Sequence, residues 1–351
     1  MPSVLVYCQS GYGVGHLVRV SRLINAIRER NVGIEITVVY GGPPAPWIFV
    51  DPSIRLVQLE PLWFNDSMSR LVSSESEPDA VLRRRRDVIL KSLKSLQPAL
   101  VILEHFPFGR WAHRTELLPL IDACKSQKPK PEIWVSVRDI VLISEKHATA
   151  VDQVLSQVDR VFVHSDPAIQ PFVPGELRLN GFSEKLEYTG YVTPPVTRKS
   201  NRQKYVVVHA GGGRDGAPLW LAVDELEKRN KSLTFVRCGQ FPGQQKSQRE
   251  LLNLIGDAGC CISMAGYNSV AEWLKLQTPT IFVPRTSDSE QPARLERLAA
   301  RVGGPMCSAA ATVDDLSNAL RWLTQEAAPL RQKPWIDGQN YFARQVCEEL
   351  N

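Results

Sequence analysis

A histidine near the start of the chain has the surroundings of a catalytic base. It follows a predicted buried strand, Val4–Cys8, and a turn with three glycines, and it precedes a helix predicted over Leu17–Arg30. The glycines are Gly11, Gly13 and Gly15. Glycines let a ligand approach the backbone closely, and a helix N-terminus disfavours protonation of a neighbouring imidazole. We therefore expect His16 to be a general base; a histidine that only packs or caps the helix is the alternative.

Two polar pairs follow other predicted strands. They are Glu104 with His105, and Arg138 with Asp139. Ligands of parallel α/β sheets bind beyond the carboxyl ends of the strands, so both pairs are site candidates. Glu104 is the second candidate base, whereas Arg138 and Asp139 are predicted to form an internal ion pair.

The stretch Gly259–Pro284 is typical of a buried strand, a glycine turn, an amphipathic helix and a second buried strand. Asn268 or Ser269 is the predicted helix N-cap. The unpaired N–H groups and positive dipole of such a helix suit a diphosphate, so Gly266, Asn268 and Ser269 are predicted to bind one. Glu272, expected in the first turn, is either a ribose acceptor or only a cap. A Glu272 sealed inside a core would argue against ribose binding.

A second glycine turn follows the strand predicted over Lys204–His209. Gly211, Gly212 and Gly213 leave backbone amides open to phosphate oxygens, and Arg214 adds positive charge. Further on, Glu290 and Gln291 stand near a predicted helix start. A glutamine both donates and accepts, as the recognition of neighbouring sugar hydroxyls requires; a Gln291 facing water is the alternative.

Strands and helices alternate along the whole chain, which predicts doubly wound parallel sheets in an α/β fold. The length of 351 residues favours two domains. We place them at 1–192 and 204–351 with a polar linker at 193–203, and the last helix is a candidate to pack back on the first domain. The glycine spacing and the absence of an acid after the second strand disfavour a dinucleotide-dependent dehydrogenase.

Composition and charge indicate which kinds of ligand and which cellular compartment to expect. The chain is 43% hydrophobic and 23% charged, with a net charge of +5 that favours anionic ligands but does not indicate nucleic acid. Seven scattered cysteines and a start without a basic leader predict reduced thiols in a cytoplasmic protein. The basic helix predicted over Val81–Leu96 is interpreted as a solvated face, with contact to an anionic membrane surface or acceptor as the alternative.

Together these motifs resemble the MurG-like glycosyltransferases, with a family 28-like C-terminal domain, although the chain departs from the peptidoglycan enzyme itself. The resemblance rests on three segments: Gly11–His16, Gly211–Gly213, and Ala265–Glu272 followed by Phe282–Pro284 with Glu290 and Gln291. It implies a GT-B fold, in which two Rossmann-like domains face each other across a cleft. It also implies inverting transfer from a nucleotide-diphosphate sugar, with uridine as the base, no cofactor and no obligatory metal.

The resemblance also assigns residues. Glu272 matches a ribose-binding glutamate and Gln291 a donor-sugar contact, and the turn from Gly266 to Ser269 lies under the diphosphate. His16 falls where the family places its N-domain histidine. Arg19 completes a Gly-His-x-x-Arg pattern that is seen also in UDP-sugar hydrolases of nonulosonic acid synthesis. A hydrolase and a non-catalytic sugar-nucleotide-binding protein are therefore the alternatives, and the acceptor, lipid-linked or a small metabolite, stays open.

Overall fold

The computed structural model describes residues 1–11, 13–49, 51–65, 70–74, 76–141, 143, 145–172, 183–196, 202–211, 216–239, 248–285, 290–325 and 329–351. These residues form two compact units. The first unit consists of Met1–Ser165, Phe172–Gly190 and Asp337–Asn351, and the second consists of Asp166–Pro171 and Tyr191–Ile336. Both contain a parallel sheet with helices between the strands, so the predicted α/β fold is confirmed.

The sheet of the first unit is parallel throughout. The described strands of this unit are β1 (Ser3–Cys8), β2 (Glu35–Tyr40), β3 (Arg55–Gln58), β4 (Trp63–Phe64), β5 (Leu71–Val72), β6 (Leu100–Glu104), β7 (Glu132–Arg138), β8 (Arg160–His164) and β9 (Leu186–Tyr188). Seven of them form the order β3-β2-β1-β6-β7-β8-β9, while β4 and β5 make a separate antiparallel pair. Strand β1 lies between β2 and β6, with Tyr7 opposite Leu103. The carboxyl ends of β1 and β6 are therefore neighbours.

The helices of this part of the chain are α1 (Gly15–Arg30), α2 (Pro78–Leu96), α3 (Arg114–Ser126) and α4 (Ala148–Leu155). Helix α1 begins two residues before its predicted start, which places His16 in its first turn. Its apolar residues Leu17, Val20, Leu23 and Ile24 are buried at helical spacing, as an amphipathic helix packed on a sheet requires.

Helix α2 departs from the predicted basic outer face at one position. Arg84 is exposed and binds Glu60, but Arg85 is buried and bonds to Glu116 on α3. The prediction of a uniformly solvated row of arginines is therefore wrong at Arg85. Helical geometry turns consecutive residues by about 100°, so one arginine of a run of four faces the sheet.

The second unit has a smaller parallel sheet. Its described strands are β10 (Gln203–His209), β11 (Thr234–Cys238), β12 (Ala258–Ser263), β13 (Thr280–Phe282) and β14 (Met306–Ser308), in the order β11-β10-β12-β13-β14. The helices are α5 (Ala217–Arg229), α6 (Gln248–Asp257), α7 (Tyr267–Leu276), α8 (Glu290–Arg301) and α9 (Val313–Gln325). Apolar clusters form along its strands, as expected for a parallel sheet covered on both faces.

The last helix, α10 (Gly338–Glu349), belongs to the first unit, where it packs against α1. Phe342 is 1% exposed and meets Phe162 edge to face at a ring-centroid distance of 5.0 Å. Full burial of such a side chain contributes about 1.5–3 kcal/mol. A Cβ atom at Gly338 would lie 2.3 Å from the carbonyl oxygen of Gly190, so only glycine fits at the start of this helix.

All seven cysteines are free and at least partly buried. None of the helices in the described ranges combines the length and the apolar character that crossing a membrane requires.

Candidate active site

The first unit brings the two candidate bases together. His16 lies in the first turn of α1 and Glu104 is the last residue of β6. The His16 Nδ1 and Glu104 Oε2 atoms are 2.8 Å apart. The Glu104 side chain is fully buried, whereas 17% of the His16 side chain is exposed. One edge of the imidazole therefore remains accessible.

Arg19 completes this arrangement. Its guanidinium donates a hydrogen bond to Glu104 Oε1, and both side chains are almost fully buried. Because Arg19 lies three residues after His16, one helical turn presents both side chains to the same carboxylate. This spacing was the signal in the sequence. Arg19 holds Glu104 and thereby fixes the orientation of the imidazole.

The electrostatics of the pair favour a neutral histidine beside an ionised glutamate. Burial lowers the pKa of His16 to about 3, and the Glu104 carboxylate only partly opposes this shift. Burial raises the pKa of Glu104, but its interactions with His16, including the hydrogen bond, and with the charge of Arg19 hold it well below its ordinary value. At neutral pH the Nδ1–H of His16 donates to Glu104, which leaves Nε2 to accept a proton. A carboxylate at this position stabilises the imidazolium that forms during proton transfer.

A second buried polar network lies next to this one. Arg85 Nη2 donates to Glu116 Oε1 at 2.8 Å and to Gln9 Oε1 at 2.6 Å, and the Tyr7 hydroxyl donates to Glu116 Oε1 at 2.5 Å. Arg85 is 1% exposed and Glu116 is fully buried. The pair ties α2 and α3 to the residue that follows β1, and so supports the loop that leads to His16.

In the second unit, helix α7 begins earlier than predicted. Gly266 is its N-cap without a side-chain hydrogen bond, and the helix starts at Tyr267. The predicted caps Asn268 and Ser269 instead lie within the first turn, so the N-cap prediction is wrong. Tyr267 is 5% exposed and its hydroxyl accepts a hydrogen bond from Val192 N at 3.0 Å. This tertiary packing outweighs the local preference for a polar cap.

The backbone of Gly266 and Gly211 is open. A Cβ atom at either residue would meet no atom of the described residues within 4 Å. Gly211 has φ +70°, a conformation that favours glycine. The two loops follow β12 and β10, which are adjacent strands, so both glycines lie at the same sheet edge. Gly212, Gly213 and Arg214 lie outside the described residues. Gly15, the first residue of α1, is exposed and belongs to the other unit.

Glu272 differs from the prediction in two respects. It is the sixth residue of α7 and so lies in the second turn, and it is only 5% exposed, a burial that argues against ribose binding. His209, at the end of β10, is close enough for the Glu272 charge to raise its pKa, although burial lowers it overall. Sequence reasoning did not single out His209, whose only signal was its place at the end of a strand.

Helix α8 is connected to the loop before α7 by a buried arginine. Arg294 is 0% exposed and donates to Ala265 O at 2.9 Å and to Glu290 Oε1 at 2.6 Å. Gln291 Oε1 accepts a hydrogen bond from Arg285 N at 3.0 Å, and the residue is 6% exposed rather than facing water. The structure thus joins Glu290 to the Gly266 turn through a residue that sequence reasoning missed. Its signal was the spacing of four between Glu290 and Arg294.

Comparison with protein families identifies part of the chain. Residues 245–342 match the glycosyltransferase family 28 C-terminal domain. This segment of the chain is similar to that domain. The matched segment contains Gly266, Asn268, Ser269, Glu272, Glu290 and Gln291.

Solved structures share the fold of the whole chain. MurG of Acinetobacter baumannii is similar over 99% of this chain and 100% of its own, with a TM-score of 0.58 at 13% identity. Medicago truncatula UGT71G1 complexed with UDP-glucose is similar over 99% of this chain and 94% of its own, with a TM-score of 0.59 at 11% identity. A putative UDP-N-acetylglucosamine 2-epimerase from Listeria monocytogenes is similar over 99% of this chain and 96% of its own, with a TM-score of 0.61 at 13% identity.

No curated protein sequence matches the chain. The structural likenesses show that the chain shares the GT-B fold of these proteins. The match of residues 245–342 to the family 28 C-terminal domain supports the predicted glycosyltransferase. Among the described residues, no group of three or more His, Cys, Asp or Glu side chains is placed to hold a metal ion.

Proposed function

We propose that the protein transfers a sugar from a UDP-linked donor to an acceptor hydroxyl, with inversion at the anomeric carbon and without a divalent metal. The observation that carries this proposal is the His16–Glu104 pair, 2.8 Å apart in a chain of which one segment matches the family 28 C-terminal domain. A neutral imidazole held by a buried carboxylate is suited to removing a proton from a hydroxyl.

The proposed reaction is a direct displacement. His16 Nε2 takes the acceptor proton while the acceptor oxygen attacks the anomeric carbon. The bond from that carbon to the diphosphate oxygen breaks, and UDP leaves with the electron pair. Backbone amides of the loops at Gly211 and Gly266, together with the N-terminus of α7, would stabilise the leaving diphosphate. Arg214 is the predicted cation for the same role.

Acceptor-dependent release of UDP in excess chelator tests this proposal. We expect release to require an acceptor and to continue with EDTA present, because amides and a helix dipole take the place of a cation. The chain has no Asp-x-Asp stretch of the kind that carries metal in other transferases. Activity that chelator abolishes and manganese restores would contradict metal independence.

The same assay separates the proposal from hydrolysis. With donor alone, a transferase should release UDP slowly, whereas a hydrolase should release it at the same rate with and without acceptor. Free sugar as the main product would favour the hydrolase that the Gly-His-x-x-Arg pattern suggested.

Glu272→Gln should raise the KM for the UDP sugar about 10- to 100-fold, the loss expected for hydrogen bonds to a charged group. The turnover number should change less, because the ribose contact is the same in ground and transition states. Glu296→Gln, an exposed change on α8, is the matched control and should leave the KM unaltered. Because Glu272 is 5% exposed, an unchanged KM would assign it to packing inside the unit.

A further inference from the structure

A short loop after β6 holds two cationic or polar residues in an unusual backbone conformation. His105 has φ +67° and Arg110 has φ +66°, although neither is glycine. Such conformations are uncommon for these residues and occur preferentially at functional sites. A Cβ atom at Gly109 would lie 2.7 Å from Cδ2 of His105, so glycine there lets the imidazole lie against the loop.

His105 is buried without a hydrogen-bond partner for one ring nitrogen. The residue is 6% exposed, and its Nδ1 atom finds no partner among the residues that the structure describes. Its ring lies 5.4 Å from the ring of His16, centroid to centroid. Burial lowers the pKa of His105 well below its ordinary value, so the ring is neutral at pH 7. A buried polar nitrogen of this kind costs free energy unless something binds it.

Arg110 follows Gly109 in the same loop. Its Nε atom is buried, and no hydrogen bond from it is found within the described part of the chain. The charges of Glu104 and Arg138 are close enough to act on it, and they oppose each other. The Arg110 charge also acts on His105. Burial lowers the pKa of Arg110 from its ordinary value.

Arg110 lies close to a carboxylate that another arginine already binds. The Glu104 charge is near enough to act on Arg110, and Glu104 accepts a hydrogen bond from Arg19. Arg110 is therefore a second arginine beside the histidine that would accept the acceptor proton, and the Arg110 charge also acts on that histidine.

We propose that His105 and Arg110 form an oxyanion site for the acceptor, so that the acceptor carries a phosphate or carboxylate close to its reacting hydroxyl. This inference rests on the proposed function and specifies its acceptor class. A guanidinium binds either group through two parallel N–H bonds, and a neutral imidazole adds a third donor. An anion bound there pairs with the Arg110 guanidinium and holds the neighbouring hydroxyl near His16.

Anion binding to the full-length protein tests the site. The melting temperature is measured at saturating UDP, which occupies the diphosphate site of the donor, in potassium phosphate, potassium acetate and potassium chloride of equal ionic strength. We expect phosphate or acetate to raise the melting temperature above that in chloride, because a ligand that binds only the folded state stabilises it. A response to one anion alone identifies the acceptor group.

Arg110→Asn provides the decisive variant, because asparagine tolerates the left-handed conformation and the change removes the guanidinium. We expect it to weaken anion binding at least about tenfold. Arg114→Asn, the same change at an exposed arginine, should bind as the wild type does. Equal anion binding by wild type and Arg110→Asn, or no response of the wild type to either anion, would overturn the site.

If Arg110→Asn does not fold, a second measurement on the wild-type protein still tests the proposal. In wild-type protein, the anion should inhibit transfer competitively against the acceptor and not against the UDP sugar; the opposite pattern would refute the proposal. Failure of the proposed function is read separately. In that case the wild type would show no acceptor-dependent release of UDP, whatever the anion does to the melting temperature.

Discussion

Replacing His16 by alanine should lower acceptor-dependent turnover about 100- to 10,000-fold, the usual contribution of a general base. The affinity for the UDP sugar should change little, because the predicted donor contacts other than Gly15 lie in the other unit. Glu104 keeps its ion pair with Arg19 in this variant, so the fold should persist. Turnover and donor dissociation constant, measured on the same preparation, check both parts.

Two controls test whether the loss of turnover is specific to His16. His147→Ala removes a half-buried histidine that stacks on Trp111 and has no contact with Glu104, so turnover should stay near the wild-type value. Turnover of the wild type should also show no histidine titration between about pH 8 and pH 5, because burial lowers the pKa of His16 to about 3. Near-normal turnover of His16→Ala would remove this residue from the role of base.

The second large effect concerns stability. Arg85→Met should lower the free energy of unfolding by about 3–5 kcal/mol, because Glu116 then keeps a buried carboxylate without its arginine. The neighbouring Arg84→Met is the matched control on the same helix. Arg84 and Glu60 are exposed, with side-chain exposures of 52% and 36%, so that change should leave the free energy of unfolding close to the wild-type value.

Denaturant unfolding of both variants measures the difference. Adding Glu116→Gln to Arg85→Met should recover part of the lost free energy of unfolding, because it removes the buried carboxylate charge that Arg85 no longer pairs. Equal stability of the two methionine variants would show that the buried network contributes no more than a surface ion pair.

Much of the fold could be predicted because parallel strands are apolar runs bounded by turns. Val4–Cys8 and Arg160–His164 were located this way, and each agrees with the structure to within a residue. His16 and Glu104 were each selected as candidate bases by the same reasoning, whereas their contact follows from the adjacency of β1 and β6, which the sequence did not predict. Local patterns and sheet topology are sufficient for such predictions.

The features that the sequence did not predict depend on tertiary contacts, which the spacing of apolar residues does not encode. Arg85 looks like its three arginine neighbours, and only the position of Glu116 on another helix explains its burial. The start of α7 is decided by the packing of Tyr267 and not by the polar residues after it. Arg110 gave no signal, because a left-handed arginine in a loop cannot be recognised from its neighbours in the sequence.

The configuration of the product tests the central claim most directly, namely that a hydroxyl deprotonated by His16 attacks the anomeric carbon of the donor in a single step. Proton NMR of the transferred sugar, recorded early in the reaction, distinguishes the two anomers. The account predicts that an α-linked UDP sugar gives a β-linked product. An α-linked product would contradict direct displacement and the role assigned to His16.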